Sequence, residues 1–506
     1  MTASQLGIGK MEEKVHSHPA SLHLNVHDSL RFEQRRTSQL NLTVGMLVKI
    51  VGGRLVKGEP SSIVRCISTD TRHIVPGDTF FALRGERFDA NNFIHDAVSK
   101  GASVIVTSNQ DAIPEETNVA FILVKDTNRS FLSLASWYRK NLGFKTICIT
   151  GSCGKTSTKE LIASMLRPRF NVISTYKNFN NLVGVPITIL NARRGHHWAV
   201  LELGMNQPGE IGTLSQVAGP DIGVVTNVCP AHLEGLGDLD QIAREKASLL
   251  FALKKDGVAI VNLDDPKIAP YLDTVECRKI GFTLEGKGHG SVEEIIRLAS
   301  WRPLGYGIDF EVEMAGLKES FFCGIPGLGN LQNLMAAISV GIAAGIPLEI
   351  IKRAISSARP TPGRLYFRRY GNWLIIDDTY NANPTSMKNA LSTLAFWSDA
   401  LFRCAILGDM LELGEKSQEL HYDVGRFAAS SGLSMLLAVG RYANAVCQGA
   451  LQVGMSEKKV IAFKDLSTLN SWLRANAVDL FPSHAWILVK GSRGMQMEKA
   501  IETLTG

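Results

Sequence analysis

A long uninterrupted apolar run is missing from this 506-residue sequence. The most apolar stretch, from Leu334 to Ile351, is broken by Ser339, by two glycines and a proline, and by Glu349, and it falls short of the roughly 20 apolar residues that a membrane-spanning helix needs. The first 41 residues are polar and mixed in charge, without the apolar core of a signal peptide. We therefore expect a cytoplasmic protein without membrane insertion, a buried helix in the apolar stretch, and a disordered tail over residues 1–41.

Paired cysteine spacing is missing as well. The eight cysteines are scattered, and some of them, such as Cys148 and Cys404, stand inside apolar runs, which favours free thiols in a reducing compartment over a disulfide framework. The formal net charge of +6 comes without the dense stripe of lysine and arginine that is typical of nucleic-acid binding. We expect acidic small molecules as ligands, no nucleic acid, and a monomer.

The chain does contain alternating β and α segments over a length that suggests three domains. We predict the α/β class: a smaller N-terminal α/β domain at 42–141, a central domain at 142–358 with a P-loop-type parallel sheet and crossover helices, and a C-terminal Rossmann-like α/β domain at 359–506. The predicted strands are 102–107 and 120–124, then 145–150, 199–203, 222–226 and 258–262, then 373–377, 404–407, 435–439 and 485–489; the clearest predicted helices are 130–140, 156–166 and 239–253.

A phosphate-binding loop is predicted directly after the strand at 145–150, where the sequence Thr-Gly-Ser-Cys-Gly-Lys-Thr-Ser opens a helix. Backbone N–H groups and the helix dipole converge there on the position of a phosphate. Glycine lets the backbone approach the phosphate oxygens, the lysine reaches the β and γ phosphates, and the threonine hydroxyl can bind Mg2+. The loop is a shortened variant of the strict motif, with Ile149 where that motif has glycine. Its nucleotide-binding residues are Gly151, Ser152, Cys153, Gly154, Lys155, Thr156 and Ser157, and we interpret Cys153 as a small tolerated residue rather than a catalyst.

Further polar candidates stand where the predicted central strands end. Ligands of an open parallel sheet bind beyond the carboxyl ends of its strands, and Glu202 closes one apolar strand there. A carboxylate in that position is costly unless it meets a cation, and Mg2+ is a natural partner. His232 follows the next strand, and Lys246 stands 14 residues beyond it. Taken alone, His232 could be structural and Lys246 could be a solvated surface lysine.

Ten motifs along the chain decide between these alternatives. They are STDTR at Ser68, GDTFFALRGERFD at Gly77, TGSCGKTSTKE at Thr150, NFNNLVGVPITIL at Asn178, ELGMNQPGEI at Glu202, AHLEGLGDLDQIAREK at Ala231, PGR at Pro362, DDTYNANPTSM at Asp377, GDMLELG at Gly408 and VKGSR at Val489. With these motifs in this order, the chain resembles the Mur ligases from about Leu42 to its end, and most of all the branch that adds a dipeptide.

The resemblance implies an ATP-dependent ligase of peptidoglycan precursor synthesis that works through an acyl phosphate. Its implied substrates are UDP-N-acetylmuramoyl-tripeptide and D-Ala-D-Ala, and its implied cofactors are ATP and two Mg2+ ions. The N-terminal domain would hold the UDP part, the central domain would bind ATP, and the C-terminal domain would close over the nucleotide and admit the incoming amino compound.

Site residues follow from the same resemblance, position by position. Thr156 and Glu202 look like Mg2+ ligands, His232 like a ligand of the second Mg2+, and Lys246 like the lysine whose carbamate supports that metal; Lys155, His232 and Lys246 form the implied catalytic set. The implied adenine contacts are Asn330 and Asn333, the nucleotide contacts from the last domain are Arg364 and Asp378, and the contacts to the UDP-linked substrate are Ser68, Asp70, Thr71, Arg72, Asn180 and Asn181. The chain departs from the family at Gly329, usually a histidine, and at Leu182, often an acidic residue.

Two rival functions remain at this stage. One is the sibling ligase that adds diaminopimelate or lysine, but its diaminopimelate form usually carries an Asp-Asn-Pro-Arg run, whereas here Asn383-Pro384 is followed by Thr385. The other is a nucleotide-binding switch or a kinase without ligase activity. Dependence of phosphate release on the dipeptide separates these possibilities.

Overall fold

The computed structural model describes residues 37, 40–85, 88–231, 233–288, 291–397 and 400–506 as three α/β domains. His232 and nearly all of the predicted tail, residues 1–41, lie outside the described residues. All eight cysteines are free thiols. Within the described ranges, no helix combines the length and the apolar character that a membrane crossing requires.

The N-terminal domain is built on a five-stranded sheet in the order β2-β7-β6-β5-β4, in which only β2 runs antiparallel to its neighbour. A small antiparallel pair, β1 with β3, lies beside it. The elements are β1 (Leu42–Thr43), α1 (Val44–Val51), β2 (Arg54–Lys57), β3 (Ile63–Val64), β4 (Ile67–Ser68), β5 (Thr79–Phe81), α2 (Ile94–Ser99), β6 (Val104–Thr107), β7 (Ala120–Leu123) and α3 (Thr127–Leu142).

The central domain carries a nine-stranded sheet in the order β16-β15-β14-β13-β12-β11-β8-β10-β9. Strand β8 is buried along all but its first residue, as expected for an inner parallel strand covered by helices on both faces. The elements are β8 (Lys145–Thr150), α4 (Lys155–Leu166), β9 (Val172–Ser174), α5 (Gly184–Leu190), β10 (Trp198–Glu202), α6 (Glu210–Ala218), β11 (Ile222–Val225), α7 (Leu233–Leu236), α8 (Leu239–Phe251), β12 (Val258–Asn262), β13 (Arg278–Thr283), β14 (Glu294–Leu304), β15 (Gly307–Met314), β16 (Leu317–Cys323), α9 (Leu328–Ala343) and α10 (Leu348–Ser357).

Two expectations for the central domain need correction. The sheet is parallel only from β9 to β14, because β14, β15 and β16 form an antiparallel meander that extends it at one edge. The apolar stretch from Leu334 to Ile351 is not one helix but parts of two, α9 and α10. The first ends at Ala343, and Gly345, with φ of +69°, and Pro347 lie in the turn between them, where each residue opposes helix continuation. The α9 part is buried as predicted.

The C-terminal domain has a six-stranded sheet in the order β17-β18-β22-β19-β20-β21, in which only β17 is antiparallel. The elements are β17 (Tyr366–Tyr370), β18 (Trp373–Asp378), α11 (Pro384–Trp397), β19 (Arg403–Gly408), α12 (Ser417–Ser430), β20 (Met435–Val439), α13 (Ala443–Gln452), α14 (Leu466–Leu480), β21 (Val460–Phe463), β22 (Trp486–Lys490) and α15 (Glu498–Thr505).

The three-domain α/β architecture is confirmed, and the predicted strands match those of the structure within two residues at each end. The domain boundaries stay predictions. The predicted division between 141 and 142 falls one residue before the end of α3, and the division after 358 falls just beyond α10.

Candidate active site

Strand β8 lies between β10 and β11 at the centre of the nine-stranded sheet. The connection from β8 runs toward β9 on one side of the sheet order, whereas the connection from β11 runs toward β12 on the other, and open parallel sheets bind ligands at such a point. The phosphate loop therefore follows β8, Glu202 ends β10, and Asn227 follows β11, so three strand ends deliver polar groups to one place. Asn227 is not among the residues predicted from the sequence, although its position after a strand end was a usable signal.

The phosphate loop fits its surroundings so closely that two of its positions admit only glycine. A Cβ on Gly151 would lie 1.9 Å from the Thr226 hydroxyl, and a Cβ on Gly154 would lie 1.9 Å from the amide oxygen of Asn333. Both glycines have positive φ, +151° and +83°, where a side chain is unfavourable. The loop backbone is thus pressed against β11 on one side and against α9 on the other.

Hydrogen bonds tie the loop to the segment that follows β11. The backbone N–H of Ser152 donates to the carbonyl of Asn227 at 3.0 Å, and the N–H of Cys153 donates to the Asn227 side-chain oxygen at 2.8 Å. The Ser152 hydroxyl also donates to the carbonyl of Cys229 at 2.9 Å. The Lys155 ammonium donates to the carbonyl of Gly151 at 2.7 Å, which keeps its charge over the loop.

A buried carboxylate lies beside the loop. Glu202 is 3% exposed; its Oε2 accepts from the Thr156 hydroxyl at 2.8 Å and its Oε1 from the Asn180 amide at 2.9 Å. In the part of the chain that the structure describes, no lysine or arginine forms an ion pair with this carboxylate. A buried carboxylate without a cationic partner, next to a hydroxyl oxygen, is a donor set that suits a hard cation such as Mg2+.

Lys246 is a buried cation without a counter-ion. It projects from α8 into the cleft, is 2% exposed, and makes no hydrogen bond or ion pair with any described residue. Burial, together with the positive charge of Lys155, lowers the pKa of Lys246 to about 7. A substantial fraction of this amine is therefore neutral near physiological pH. Within the described residues, no group of three or more histidine, cysteine or carboxylate side chains could hold a metal ion.

The C-terminal domain contacts the phosphate loop directly. The Arg364 guanidinium donates to the Thr156 hydroxyl at 2.9 Å and stacks on the Tyr380 ring at 4.1 Å. Behind Arg364, Asp378 accepts from the backbone N–H of Leu365 at 3.1 Å and pairs with Lys490 at 2.6 Å. Thr156 therefore joins the carboxylate of the central domain to an arginine of the last domain.

The asparagines of α9 form the opposite wall. Asn333 donates to Asn330 at 3.1 Å, and its oxygen accepts from the Thr158 hydroxyl at 3.4 Å. Next to them, a Cβ on Gly329 would lie 2.9 Å from the Asn389 amide. Glycine at this family-departing position is thus explained by the close packing of α9 against α11.

Together these groups line one cavity of about 460 Å³ between the central and C-terminal domains. It brings together nearly all of the residues predicted for nucleotide and metal binding. From that set the cavity wall includes Ser152, Cys153, Gly154, Lys155, Thr156, Ser157, Glu202, Lys246, Asn330, Asn333, Arg364 and Asp378, but not Gly151. Two predicted substrate contacts, Asn180 and Asn181, also line it.

Four predicted substrate contacts do not line this cavity: Ser68, Asp70, Thr71 and Arg72. They lie in the N-terminal domain, where Asp70 caps a 3-10 helix at Thr71–His73 and accepts from the side chain of Arg72 at 2.9 Å. That bond lowers the pKa of Asp70. Asn181 lies in the cavity wall, and its side-chain oxygen accepts from the backbone N–H of Gly184, the first residue of α5, at 2.9 Å.

Sequence reasoning also missed two residues of the C-terminal domain as site residues. Lys490 is 2% exposed and ends β22, next to the end of β18, so it faces Asp378 across the sheet. Asn383 precedes α11, and its amide lies 3.1 Å from the sulfur of Cys153 in the phosphate loop. Both stand within motifs that were quoted for the family resemblance.

The chain is similar to known proteins along most of its length. Three family models match: the Mur ligase family catalytic domain at residues 63–142, the Mur ligase middle domain at 149–341, and the Mur ligase glutamate ligase domain at 363–493. The UDP-N-acetylmuramoyl-tripeptide–D-alanyl-D-alanine ligase of Escherichia coli K12 is 32% identical over 92% of this chain and 98% of its own length. The enzyme of the same name from Bacillus subtilis 168 is 32% identical over 91% of this chain and 98% of its own length.

The chain is also similar to solved structures of MurF enzymes. A crystal structure of MurF from Acinetobacter baumannii has a TM-score of 0.82 and 31% identity, covering 93% of this chain and 100% of that chain. MurF ligase from Thermotoga maritima in complex with ADP has a TM-score of 0.77 and 26% identity, covering 87% of this chain and 96% of that chain.

The tight fit of the phosphate loop gives a prediction with a matched control. Gly154 and Gly209 share the same backbone conformation, φ +83° and +85° with ψ −7°, and each caps a helix. Nothing lies within 4 Å of a Cβ on Gly209, whereas one on Gly154 meets Asn333. Alanine at either site should cost about 1–2 kcal/mol of left-handed strain. Only Gly154→Ala should also weaken ADP binding, by about tenfold or more, the effect of losing one hydrogen bond to a charged group.

Calorimetric titration with ADP and thermal melting of both variants test this prediction. An equal loss of ADP affinity in Gly154→Ala and Gly209→Ala would show that backbone strain at a helix start explains the loss without the contact to Asn333. Unchanged affinity in Gly154→Ala would show that the loop does not bind the nucleotide.

Proposed function

The chain belongs to the Mur ligase family, and from this premise we propose that it joins D-alanyl-D-alanine to UDP-N-acetylmuramoyl-tripeptide at the expense of ATP. Relatives that it matches over nine-tenths of its length carry this activity in their names. The product is a precursor of peptidoglycan. Because ATP and UDP-linked precursors are made inside the cell, and because eight free cysteines suit a reducing compartment, the cytoplasm is the proposed location.

One observation carries this proposal: the Thr156 hydroxyl contacts both the buried Glu202 carboxylate and the Arg364 guanidinium. The first contact belongs to the central domain and the second to the C-terminal domain. A nucleotide-binding switch needs a phosphate loop and a metal ligand, but a ligase also needs a second domain that closes over them and excludes water. The contact of Arg364 with the loop supports the ligase.

The proposed reaction has two steps. A carboxylate of the tripeptide attacks the γ phosphorus of ATP, ADP leaves, and the acyl phosphate that forms is then attacked by the amine of the dipeptide with release of phosphate. The loop N–H groups and Lys155 hold the phosphates and offset the negative charge that develops on them. Arg364, brought by the closing domain, adds positive charge at the same place. No side-chain nucleophile takes part, so the chain acts by positioning and electrostatics.

We propose that Mg2+ binds to the oxygen groups beside the phosphate loop. Thr156 and Glu202 would hold one ion, and His232 with a carbamate on Lys246 would hold a second. Bound Mg2+ supplies charge neutralisation for the transferred phosphoryl group. The burial of Glu202 and the absence of any described counter-ion for Lys246 support these assignments, because a carbamate would replace an unpaired buried cation by an anion.

The nucleotide contacts are proposed on the same basis. Asn330 and Asn333 would contact the adenine from α9, and Arg364 and Asp378 would contact the nucleotide from the C-terminal domain. Asn180 and Asn181 would contact the acceptor near Glu202. The STDTR residues, Ser68, Asp70, Thr71 and Arg72, would hold the UDP end in the N-terminal domain, outside the cavity of the phosphate loop.

The decisive experiment measures phosphate release from ATP with UDP-N-acetylmuramoyl-tripeptide as acceptor, with and without D-Ala-D-Ala. The proposed ligase releases phosphate at a sustained rate only with the dipeptide present, and mass spectrometry finds the pentapeptide product. Sustained release without the dipeptide identifies a hydrolase or a switch. If the enzyme instead prefers to join free diaminopimelate or lysine to UDP-N-acetylmuramoyl-dipeptide, it is the sibling ligase.

Lys155→Ala should lower turnover by at least about a hundredfold, because it removes a charge directed at the transferred phosphoryl group. The matched control is Lys254→Ala, which removes a lysine of the same domain that is 56% exposed. We expect Lys254→Ala to keep the wild-type rate and both variants to melt near the wild-type temperature. Wild-type turnover in a folded Lys155→Ala protein would contradict the loop assignment.

Lys246 should carry a carbamate at its ε-amine when the enzyme works. A neutral amine is the form that adds CO2, and with a pKa of about 7 that form increases as the pH rises through neutrality. Incubation with 13C-bicarbonate should therefore give a carbamate NMR signal that grows from about pH 6 to about pH 8 and that is absent from Lys246→Arg.

The activities of the Lys246 variants complete this test. Lys246→Ala should be nearly inactive and partly rescued by acetate, which supplies a small carboxylate in place of the carbamate. Lys246→Arg should be inactive because guanidinium does not add CO2. Full activity of Lys246→Arg, or a wild-type protein that gives no carbamate signal, would exclude the modification.

A further inference from the structure

Two cysteines lie against each other at the phosphate loop and have no part in the proposed reaction. Cys153 is the middle residue of the loop, and Cys229 follows β11. Their Sγ atoms are 3.6 Å apart. Cys153 is half-buried and lines the cavity, whereas Cys229 is 7% exposed and lies behind it. One sulfur thus faces the ligand space and the other is within reach of the first.

The backbones that carry the two cysteines are fixed to each other independently of the sulfurs. The Ser152 hydroxyl donates to the Cys229 carbonyl at 2.9 Å and accepts from the Cys229 N–H at 3.0 Å. The hydroxyl of Thr226 donates to the carbonyl of Cys153 at 2.6 Å. A disulfide has a sulfur–sulfur bond of about 2.05 Å, so the sulfurs need to approach by roughly 1.5 Å from their separation of 3.6 Å.

We propose that Cys153 and Cys229 form a reversible disulfide that disables the phosphate loop when the cell is exposed to hydroperoxides. The loop backbone would supply N–H groups to the phosphates, and it has little spare room, since a Cβ on Gly151 or Gly154 would lie 1.9 Å from Thr226 or Asn333. Drawing Cys153 toward Cys229 moves that backbone and also separates the Cys153 sulfur from the Asn383 amide of the C-terminal domain, now 3.1 Å away. Both changes oppose nucleotide binding and closure.

The reaction balances with hydrogen peroxide as the oxidant. The Cys153 thiolate attacks one peroxide oxygen, the O–O bond breaks, a sulfenic acid forms on Cys153, and hydroxide leaves and takes up the proton that Cys153 released. The Cys229 sulfur then attacks the Cys153 sulfur, the S–O bond breaks, and hydroxide leaves with the proton of Cys229 as water. The two thiols lose two electrons and two protons, and peroxide becomes two waters. A thiol reductant reverses the change.

The order of attack follows from the surroundings of the two sulfurs. The hydrogen bond from Cys229, the Asn383 amide and the charges of Lys155 and Lys490 lower the pKa of Cys153, and the same pairing with burial raises the pKa of Cys229. Cys153 is also the cysteine of the pair that lines the cavity. It is therefore the thiol that meets the oxidant, and Cys229 is the resolving thiol.

The first experiment follows the bond itself. The reduced full-length protein is treated with hydrogen peroxide, free thiols are blocked with N-ethylmaleimide, and the digest is searched for a peptide that joins Cys153 to Cys229. We expect this linked peptide in the treated protein, its loss after dithiothreitol, and slower formation in the presence of ADP, which would cover Cys153. Oxidation of other cysteines to completion without the linked peptide would overturn the proposal.

The second experiment measures the consequence, and for this it rests on the proposed nucleotide site. The ADP affinity of the reduced protein tests that site; a reduced protein that does not bind ADP refutes the proposed function and leaves the disulfide to be judged by the linked peptide. Oxidation should weaken ADP binding by about tenfold or more, the effect of losing one hydrogen bond to a charged phosphate, and dithiothreitol should restore it. Unchanged affinity in the linked protein would overturn the switch.

Variants separate this bond from general oxidation, with each variant compared before and after peroxide. Cys229→Ser and Cys229→Ala should give no linked peptide, and their Cys153 sulfenic acid, which has no resolving thiol, should be trapped by dimedone. Cys447→Ala, which removes a buried cysteine of α13, should form the linked peptide as the wild type does. Equal dimedone labelling of Cys153 in wild type and both Cys229 variants would show that Cys229 does not resolve the sulfenic acid.

Discussion

The structure of the site depends on one buried charge, the carboxylate of Glu202. It ends an inner strand at 3% exposure, where an ionised group without partners would be strongly destabilising. Two neutral donors, the Thr156 hydroxyl and the Asn180 amide, satisfy its oxygens but do not neutralise it. This incomplete compensation is the physical reason to propose a cation there, because a metal ion would complete the charge balance that the protein leaves open.

Several positively charged side chains line the same cavity as the Glu202 carboxylate. Lys155 belongs to the loop, Lys246 lies behind it, and Arg364 and Lys490 come from the C-terminal domain. Of these four cations, Lys490 pairs with Asp378, and no ion pair to a described residue is found for the other three. A fifth cation of the cavity wall, Arg493, pairs with Glu498. Burial and the nearby charge of Lys155 lower the pKa of Lys246. An anionic polyphosphate between these cations would relieve their mutual repulsion.

The sequence predicted some secondary-structure elements accurately and missed others. Strand β8 and strand β12 were predicted with both ends correct, because each is a short apolar run with polar residues or glycine around it. The meander β14 to β16 was missed even though Phe310 and Val312 alternate with polar residues in β15; the outer strands are largely exposed and carry charges that resemble loop composition. The apolar stretch around Gly345 was predicted as one helix because hydrophobicity outweighed the turn residues.

The cavity residues show a similar limit. Thr156 and Glu202 could be predicted because each follows from a local pattern, a glycine-rich turn or a strand that ends in a carboxylate. Asn383 could not, since its contact with Cys153 joins residues 230 positions apart. Such contacts depend on how two domains are placed, and no local pattern encodes that placement. Family resemblance supplied Arg364 and Asp378 by position but not the pairing of Asp378 with Lys490.

The separation of the STDTR segment from the phosphate loop has a physical rationale in the proposed acceptor. That molecule carries a nucleotide diphosphate at one end and a reactive carboxylate at the other, and its tripeptide alone can extend by about 10 Å. If the UDP end is held by the N-terminal domain, the carboxylate end can still lie beside Lys155 and Glu202 in the cavity between the other two domains. Binding energy gained far from the reacting atoms can then position the carboxylate against the phosphate. A single-domain kinase has no need for such a remote site, whereas a ligase that must recognise a long acceptor does.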